Sequence, residues 1–314
     1  MSTLFIIGNG FDLAHCLPTS YNHFKEYLRT EYEYNYDEMP QIWEQSSITH
    51  SGSEEYDMKN CAHIIDYLVS NAEESMTSEY EWKDFEKALG KLNLREIEDE
   101  IYDQYDKEGD INPFKTGYLY EDAYSDLEQI MMFVQKLFQE WINTIKVPEQ
   151  HYSLSNMYIY ETLKELFANV EDPIFLTFNY TDTLEILYKE ENIIHIHGDL
   201  NNPIVGHGDE TVIDKLAYNQ DEYINRISEQ LRKPCESIIE SNYIFFENLE
   251  NNITDIYTYG FSFSDVDGIY IKEILKRMDT KNVVWYLQSY DLNNHEEYKD
   301  KLLKYGFKGK ISIF

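Results

Sequence analysis

The chain has 314 residues, with 59 Asp and Glu against 26 Lys and Arg, and a formal net charge of -33. This balance disfavours nucleic acids and anionic membrane surfaces as partners, because both are bound through clustered cations. Its three cysteines are scattered along the chain, so neither a disulfide framework nor a zinc ribbon is expected.

The first predicted element is a short buried strand over the apolar residues 4–7. The sequence Gly-Asn-Gly-Phe-Asp follows it, and Gly8 and Gly10 permit a close approach of other backbone. Such a turn occurs both at nucleotide phosphates and at ordinary strand-to-helix connections, so its role is open at this point. The N-terminus lacks a basic region and no window resembles a membrane span, which predicts a cytoplasmic protein without membrane contact.

The middle of the first half has the pattern of a helical lobe. Residues 35–60 are polar and are predicted to be irregular, and residues 60–147 carry helical spacing with no predicted strand. We therefore expect an inserted helical lobe over residues 35–150. The remaining residues, 1–34 and 151–314, are expected to form one α/β core.

The second half alternates between strands and helices. Short buried strands are predicted over residues 173–180, 192–198, 255–263, 282–288 and 310–314. Such alternation implies right-handed crossovers and a parallel sheet. The expected fold class is α/β, with a Rossmann-like, mostly parallel sheet and a large inserted helical lobe.

Polar residues follow these strands, and ligands of open parallel sheets bind at the carboxyl ends of the strands. Asn179 ends one strand, His195 and His197 end the next, and Ser262 follows Gly260 after a third. Each residue also has a structural interpretation, as a turn residue or a hydrogen-bonded histidine. Thr181, Asp182 and Glu185 have the pattern of a helix start, and Asp267 that of a helix cap.

A metal site is not predicted from the histidine-rich segment. His207, Asp199 and Asp209 lie close together in sequence, but they match no established ligand spacing. A metal-dependent hydrolase would instead draw on scattered acids, namely Asp12, Asp199, Asp209 and Asp265.

Five segments taken in order resemble the AbiH family of bacterial abortive-infection proteins. They read IIGNGFDLAHCLPTSYNHF, WKDFE, LTFNYTDTLE, HIHGD and YGFSFSDVD, and they extend from about residue 4 to about residue 275. AbiH proteins are in turn similar to the sirtuin-like NAD-binding fold.

The resemblance implies a set of site residues. The catalytic residues would be His197, which activates the nucleophile, and Asn179, which positions it beside the ribose. The residues implied to bind the dinucleotide are Gly8, Asn9, Gly10, Phe11, Asp12, Gly198, Gly260, Ser262 and Asp265. NAD would be a substrate, and no further cofactor would be required.

The resemblance also limits the chemistry, because three scattered cysteines cannot build the four-cysteine zinc module of sirtuin deacylases. We therefore expect an anti-phage effector that cleaves the nicotinamide–ribose bond of NAD. The alternatives are a nucleotide or ADP-ribose sensor without turnover, and a metal-dependent hydrolase of another nucleotide or nucleic acid. Such an activity would have to be restrained in healthy cells, and we expect the helical lobe to gate the site or to build a homo-oligomer. A phage-derived molecule or a partner protein would supply the activating trigger.

Overall fold

The chain divides into two compact units, each built from separated segments. The computed structural model describes residues 2–40, 46–48, 54–74, 82–149, 157–249 and 253–314. Unit 1 comprises Met1–Ser20, Ile142–Ile204 and Pro234–Phe314, and unit 2 comprises Tyr21–Trp141 and Val205–Lys233. The division differs from the expected one, since unit 2 begins at Tyr21 rather than at residue 35 and also includes a segment of the second half.

The described strands form one large sheet and one small sheet. They are β1 (Ser2–Ile7), β2 (Ser46–Ile48), β3 (Glu54–Tyr56), β4 (Pro173–Thr177), β5 (Ile193–His195), β6 (Ile253–Tyr259), β7 (Val284–Leu287) and β8 (Lys310–Ile313). In unit 2, β2 and β3 form an antiparallel pair. The prediction of irregular structure over residues 35–60 is wrong there, because these strands are three residues long and carry little periodic signal.

The described helices connect and cover these strands. They are α1 (Gly10–Ala14), α2 (Tyr21–Glu31), α3 (Met58–Glu74), α4 (Trp82–Leu89), α5 (Pro113–Met131), α6 (Phe133–Ile142), α7 (Met157–Ala168), α8 (Gln220–Gln230), α9 (Cys235–Ser241), α10 (Tyr243–Asn248), α11 (Gly268–Arg277) and α12 (His295–Tyr305). A π-helical turn covers Leu184–Tyr188. Within the described ranges, no helix combines the length and the apolar character needed to cross a membrane.

Unit 1 is organised around a parallel sheet that is buried on both faces. Leu4 and Ile6 belong to one hydrophobic cluster and Phe5 and Ile7 to another, as expected when successive side chains of a strand point to opposite faces. This arrangement confirms the predicted α/β class and parallel sheet. Two strands differ from the prediction, because β5 and β8 lie at the sheet edges and are only partly buried.

The order of the strands determines which loops meet. The order across the sheet is β5-β4-β1-β6-β7-β8, which is 3-2-1-4-5-6 when only these six strands are numbered along the chain. The direction of winding therefore reverses between β1 and β6. Ile7 pairs with Thr177, and Thr177 pairs with His195. The residues that follow β1, β4 and β5 consequently lie together at the carboxyl end of the sheet.

Unit 2 is predominantly helical and has its own aromatic core. The rings of Tyr21 and Phe85 stack with centroids 4.7 Å apart. Arg226 of α8 binds Glu128 of α5 at 2.8 Å, which explains why residues 205–233 belong to this unit although they follow three strands of the sheet. The packing of α2 and α8 with the other helices, rather than the break in composition, sets the unit boundary.

Candidate functional site

A buried carboxylate lies just beyond β1, at the carboxyl end of the sheet in unit 1. Asp12 is 1% exposed. Its Oδ2 accepts a hydrogen bond from the Thr181 hydroxyl at 2.5 Å, and its Oδ1 accepts one from the Thr183 hydroxyl at 2.8 Å. Thr181 was interpreted as a helix cap, but its hydroxyl binds this carboxylate across 169 positions of sequence. Pairing of β1 with β4 brings the two segments together.

Burial shifts the protonation equilibrium of Asp12 towards its neutral form. Burial raises the pKa of Asp12 to about 6, although hydrogen bonds from Thr181, Thr183 and Asn179 and the charge of His195 all act to lower it. A carboxyl group with this pKa exchanges protons close to neutral pH. The cost of burial thus exceeds the stabilisation that its three donors give to the charged form.

Asn179 connects Asp12 to the rest of the site. Its side chain lies close enough to Asp12 to lower the pKa of that carboxyl, and its main-chain oxygen lies 2.9 Å from Nδ1 of His195. The residue is 5% exposed, and its Oδ1 is buried without a hydrogen-bond partner. Since a buried acceptor is costly to leave unpaired, this oxygen marks a place for a donor from a ligand or from water.

His195 ends β5 and is held at both ring nitrogens. Nδ1 faces the Asn179 carbonyl, and Nε2 lies 2.7 Å from Oε1 of Glu185. Burial lowers the pKa of His195, but the hydrogen bond and charge of Glu185, with smaller effects of the Asn179 carbonyl and Asp182, raise it above its ordinary value overall. The structural interpretation of His195 thus holds for Nδ1, while Nε2 makes an ionic contact.

Asp182, Glu185 and His195 form a group that we call the His195 cluster. One ligand-type atom from each lies within 4.8 Å of the others. Burial and the negative charges of Glu185 and Asp199 raise the pKa of Asp182. The sequence pattern assigned Asp182 and Glu185 to a helix start, but Thr183 holds the cap position without a side-chain cap bond. The π-helical turn instead presents Glu185 to His195.

The glycine turn after β1 packs against the end of β6. The amides of Gly8 and Gly10 donate to the carbonyls of Tyr259 and Gly260, each at 3.0 Å. A Cβ added at Gly10 would lie 2.7 Å from the Gly260 Cα, and one added at Gly8 would meet the Gly260 oxygen. Close approach of two backbones therefore accounts for these glycines, and contact with a diphosphate stays a prediction.

The other two residues of the turn also make internal contacts. The Asn9 side-chain amide donates to the Thr19 carbonyl at 3.0 Å. Phe11 is fully buried and packs against the His15 ring, with centroids 4.6 Å apart. Their predicted part in dinucleotide binding rests on the resemblance alone.

His197, the residue predicted to activate the nucleophile, is enclosed. It is 3% exposed, and its ring lies edge-on to Phe178 and Tyr270, with centroids 5.1 and 5.4 Å away. Nε2 is 3.3 Å from Oδ1 of Asp267, and Oδ2 of the same carboxylate accepts a hydrogen bond from the Ser264 hydroxyl. Asp267 thus makes no side-chain cap bond to α11. The catalytic role of His197 stays a prediction.

The remaining predicted binding residues differ in exposure. Gly198 has φ +78° and supports a tight turn, and Gly260 has φ +62° where it meets the turn after β1. Ser262 is half-buried. The Asp265 side chain is 97% exposed, and its Oδ1 lies 3.8 Å from Nζ of Lys301. Asp265 is therefore a surface charge.

The acids that suggest a metal-dependent hydrolase each have different partners in the structure. Asp209 belongs to unit 2, where Lys91 contacts it at 2.5 Å. Asp199 accepts from the amides of Asn201 and Asn202 within its own turn. In the part of the chain that the structure describes, metal-compatible spacing occurs at the His195 cluster instead. Sequence reasoning missed this cluster because each acid had a local explanation.

Comparison with known proteins places the chain in a family. The family model described as Bacteriophage abortive infection AbiH matches residues 4–289. No curated protein matches the sequence, and no solved structure matches it either. Since the match covers nearly the whole chain, the protein belongs to the AbiH family of bacteriophage abortive-infection proteins.

Proposed function

We propose that this AbiH protein acts in abortive infection by binding NAD at the carboxyl end of the unit 1 sheet and hydrolysing the nicotinamide–ribose bond. The observation that carries the proposal is the meeting of Asp12, Asn179 and the His195 cluster at three neighbouring strand ends. Parallel sheets bind their ligands at this edge.

The sheet order supports a dinucleotide as the ligand. The order 3-2-1-4-5-6 is that of Rossmann sheets, which bind dinucleotides where the winding reverses. Here the reversal falls between β1 and β6, beside the turn that contains Gly8 and Gly10. A Rossmann-like fold similar to that of sirtuins is thus part of the proposal.

The side chains suit cleavage of a bond to ribose. When the C1′–N bond breaks, its electron pair leaves with nicotinamide, and a cationic ribosyl centre forms at C1′. Carboxylates stabilise such a centre, and one of them takes the proton of the attacking water. We assign these steps to Glu185, whose side chain is 35% exposed, and water positioning to Oδ1 of Asn179. The products are nicotinamide, ADP-ribose and one proton.

Nicotinamide release from NAD tests the proposal. Purified protein is incubated with NAD, with and without extract from phage-infected cells, and nicotinamide is measured by chromatography. We expect Glu185→Gln and Asn179→Ala to lose at least about 100-fold in rate, within the range given by general-base catalysis. Glu191→Gln, an exposed acid in the same segment, serves as the matched control.

Two outcomes decide between assignments. Loss of cleavage in His197→Ala, with Glu185→Gln fully active, would mean that the enclosed His197, and not Glu185, takes the proton of the attacking water. Tight ADP-ribose binding without any NAD turnover, whether or not the extract is present, would mean that the protein is a sensor and not an enzyme.

A further inference from the structure

The contact between Nε2 of His195 and Oε1 of Glu185 needs a proton or a cation between the two atoms. The Asn179 carbonyl can only accept, so Nδ1 of His195 carries a proton and donates it there. In a neutral ring, Nε2 then presents a lone pair to Oε1 of Glu185 at 2.7 Å. Two lone pairs repel at that distance. A second ring proton, a proton on the carboxyl group or a shared cation relieves this repulsion.

The three side chains of the His195 cluster have the spacing of a cation site. Their ligand-type atoms all lie within 4.8 Å of one another. Divalent cations bind imidazole and carboxylate at about 2.0–2.2 Å, which places neighbouring ligand atoms about 3 Å apart. The main-chain carbonyl that holds Nδ1 of His195 is the usual support of a metal-binding histidine.

Two unpaired oxygens provide a second, separate observation. Oε2 of Glu185 is buried within the cluster and has no hydrogen-bond partner. Oδ1 of Asn179 is likewise buried and unpaired, in a residue whose own carbonyl binds the cluster histidine. Buried acceptor atoms left unpaired beside carboxylates are satisfied by a cation or by water bound to it.

We propose that Asp182, Glu185 and His195 bind one divalent cation of the Mn²⁺ or Zn²⁺ class. Two carboxylates and one imidazole suit these ions better than Mg²⁺ or Ca²⁺, which prefer oxygen ligands throughout. The inference rests on the proposed function in one respect. A cation here would offset carboxylate charge where an anionic diphosphate approaches, and Glu185 would then be a ligand while the cation activates the water.

Binding of Mn²⁺ alone tests the site without nucleotide. Protein stripped with a chelator is titrated with Mn²⁺ by calorimetry and by electron paramagnetic resonance, at an ionic strength that screens its net charge of -33. We expect one tight site, displacement of Mn²⁺ by Zn²⁺, and a higher Tm in the loaded protein. Glu185→Gln and His195→Ala should each weaken binding by more than about tenfold.

Controls separate this site from diffuse binding by acidic surfaces. Glu191→Gln removes an exposed charge from the same segment and should bind Mn²⁺ as the wild type does. Asp182→Asn provides a third variant if either of the others unfolds. Wild-type protein without a saturable site, or affinity unchanged in all cluster variants, would overturn the inference. NAD cleavage that persists in protein without a saturable Mn²⁺ site would overturn this inference and leave the proposed function standing. Saturable Mn²⁺ binding without NAD cleavage by the loaded protein would do the reverse.

Discussion

Asp12 and His195 are both largely shielded from solvent, yet the pKa shift favours the neutral form of Asp12 and the charged form of His195. Burial disfavours the charged form of each group. For Asp12 it outweighs three hydrogen bonds and raises the pKa to about 6. For His195 burial is the largest single effect, but the hydrogen bond and charge of Glu185, with the smaller effects of the Asn179 carbonyl and Asp182, together outweigh it and raise the pKa. The outcome depends on how strong the nearby opposite charge is, since Glu185 bonds His195 directly whereas the charge of His195 is the smallest of the effects named for Asp12.

Asp12 is predicted to make the protein less stable as the pH rises. Its pKa is about 6 in the folded chain against an ordinary value of 3.8, so the folded state binds the proton more tightly. Its stabilising contribution is therefore complete below about pH 4 and is lost as the pH rises through about 6. Relative to Asp12→Asn, we expect the wild-type free energy of unfolding to fall by about 1–2 kcal/mol between pH 5 and pH 7.5.

Urea unfolding across this pH range, in chelator-containing buffer, measures the difference between the two proteins. Glu191→Gln, which alters an exposed acid, should show a difference that changes little with pH. A wild-type advantage over Asp12→Asn that grows with pH would mean that the folded chain holds Asp12 charged.

At the scale of elements, the sequence predicts strands well and long-range contacts poorly. The apolar run Phe5–Ile7 marks a buried strand by itself, and Asn179 and His195 could be placed at strand ends from the same pattern. The link from Thr181 to Asp12 could not, because it depends on β1 pairing with β4 across the inserted segment. The contact between Glu185 and His195 could be predicted only by knowing that β4 and β5 are adjacent in the sheet.

Alanine substitutions at two glycines are predicted to have opposite signs. A Cβ at Gly10 would lie 2.7 Å from the Gly260 Cα, where backbone must shift, so Gly10→Ala should destabilise by about 1–3 kcal/mol. Gly117 lies within α5, and a Cβ there would meet only the Tyr218 ring at an ordinary 3.5 Å. Gly117→Ala should therefore stabilise by about 0.5–1 kcal/mol through helix propensity.

Thermal and urea unfolding of both variants measure these effects. If Gly10→Ala is as stable as the wild type, the close approach of the two turns is not maintained in solution. If Gly117→Ala is strongly destabilised, the helix at that position packs more tightly than the contact to Tyr218 indicates.

At the scale of the whole molecule, neither unit is formed by a continuous stretch of chain. The five segments 1–20, 21–141, 142–204, 205–233 and 234–314 alternate between the two units. Each unit must therefore be closed by contacts between residues far apart in sequence. In unit 2 the segment 205–233 is joined to the rest by the Arg226–Glu128 bond and by a buried ion pair.

That ion pair joins the last residue of the second segment to α4. Nζ of Lys233 lies 2.5 Å from Oε1 of Glu86, and the two side chains are 0% and 3% exposed. Removal of one partner leaves the other charge buried, so Lys233→Met should cost about 3–5 kcal/mol of unfolding free energy. The double variant Glu86→Leu/Lys233→Met should recover much of this loss, because no uncompensated charge remains.

Urea unfolding combined with native-state hydrogen exchange locates as well as measures the effect. The loss of protection in Lys233→Met should fall on residues 205–233 and on α4. Lys276→Met is the matched control, since Lys276 is 73% exposed where it meets Glu273, and its cost should stay below about 1 kcal/mol. Equal costs for the two lysines would contradict a buried pair at Lys233, whereas a loss confined to unit 2 would show that this pair closes the discontinuous unit.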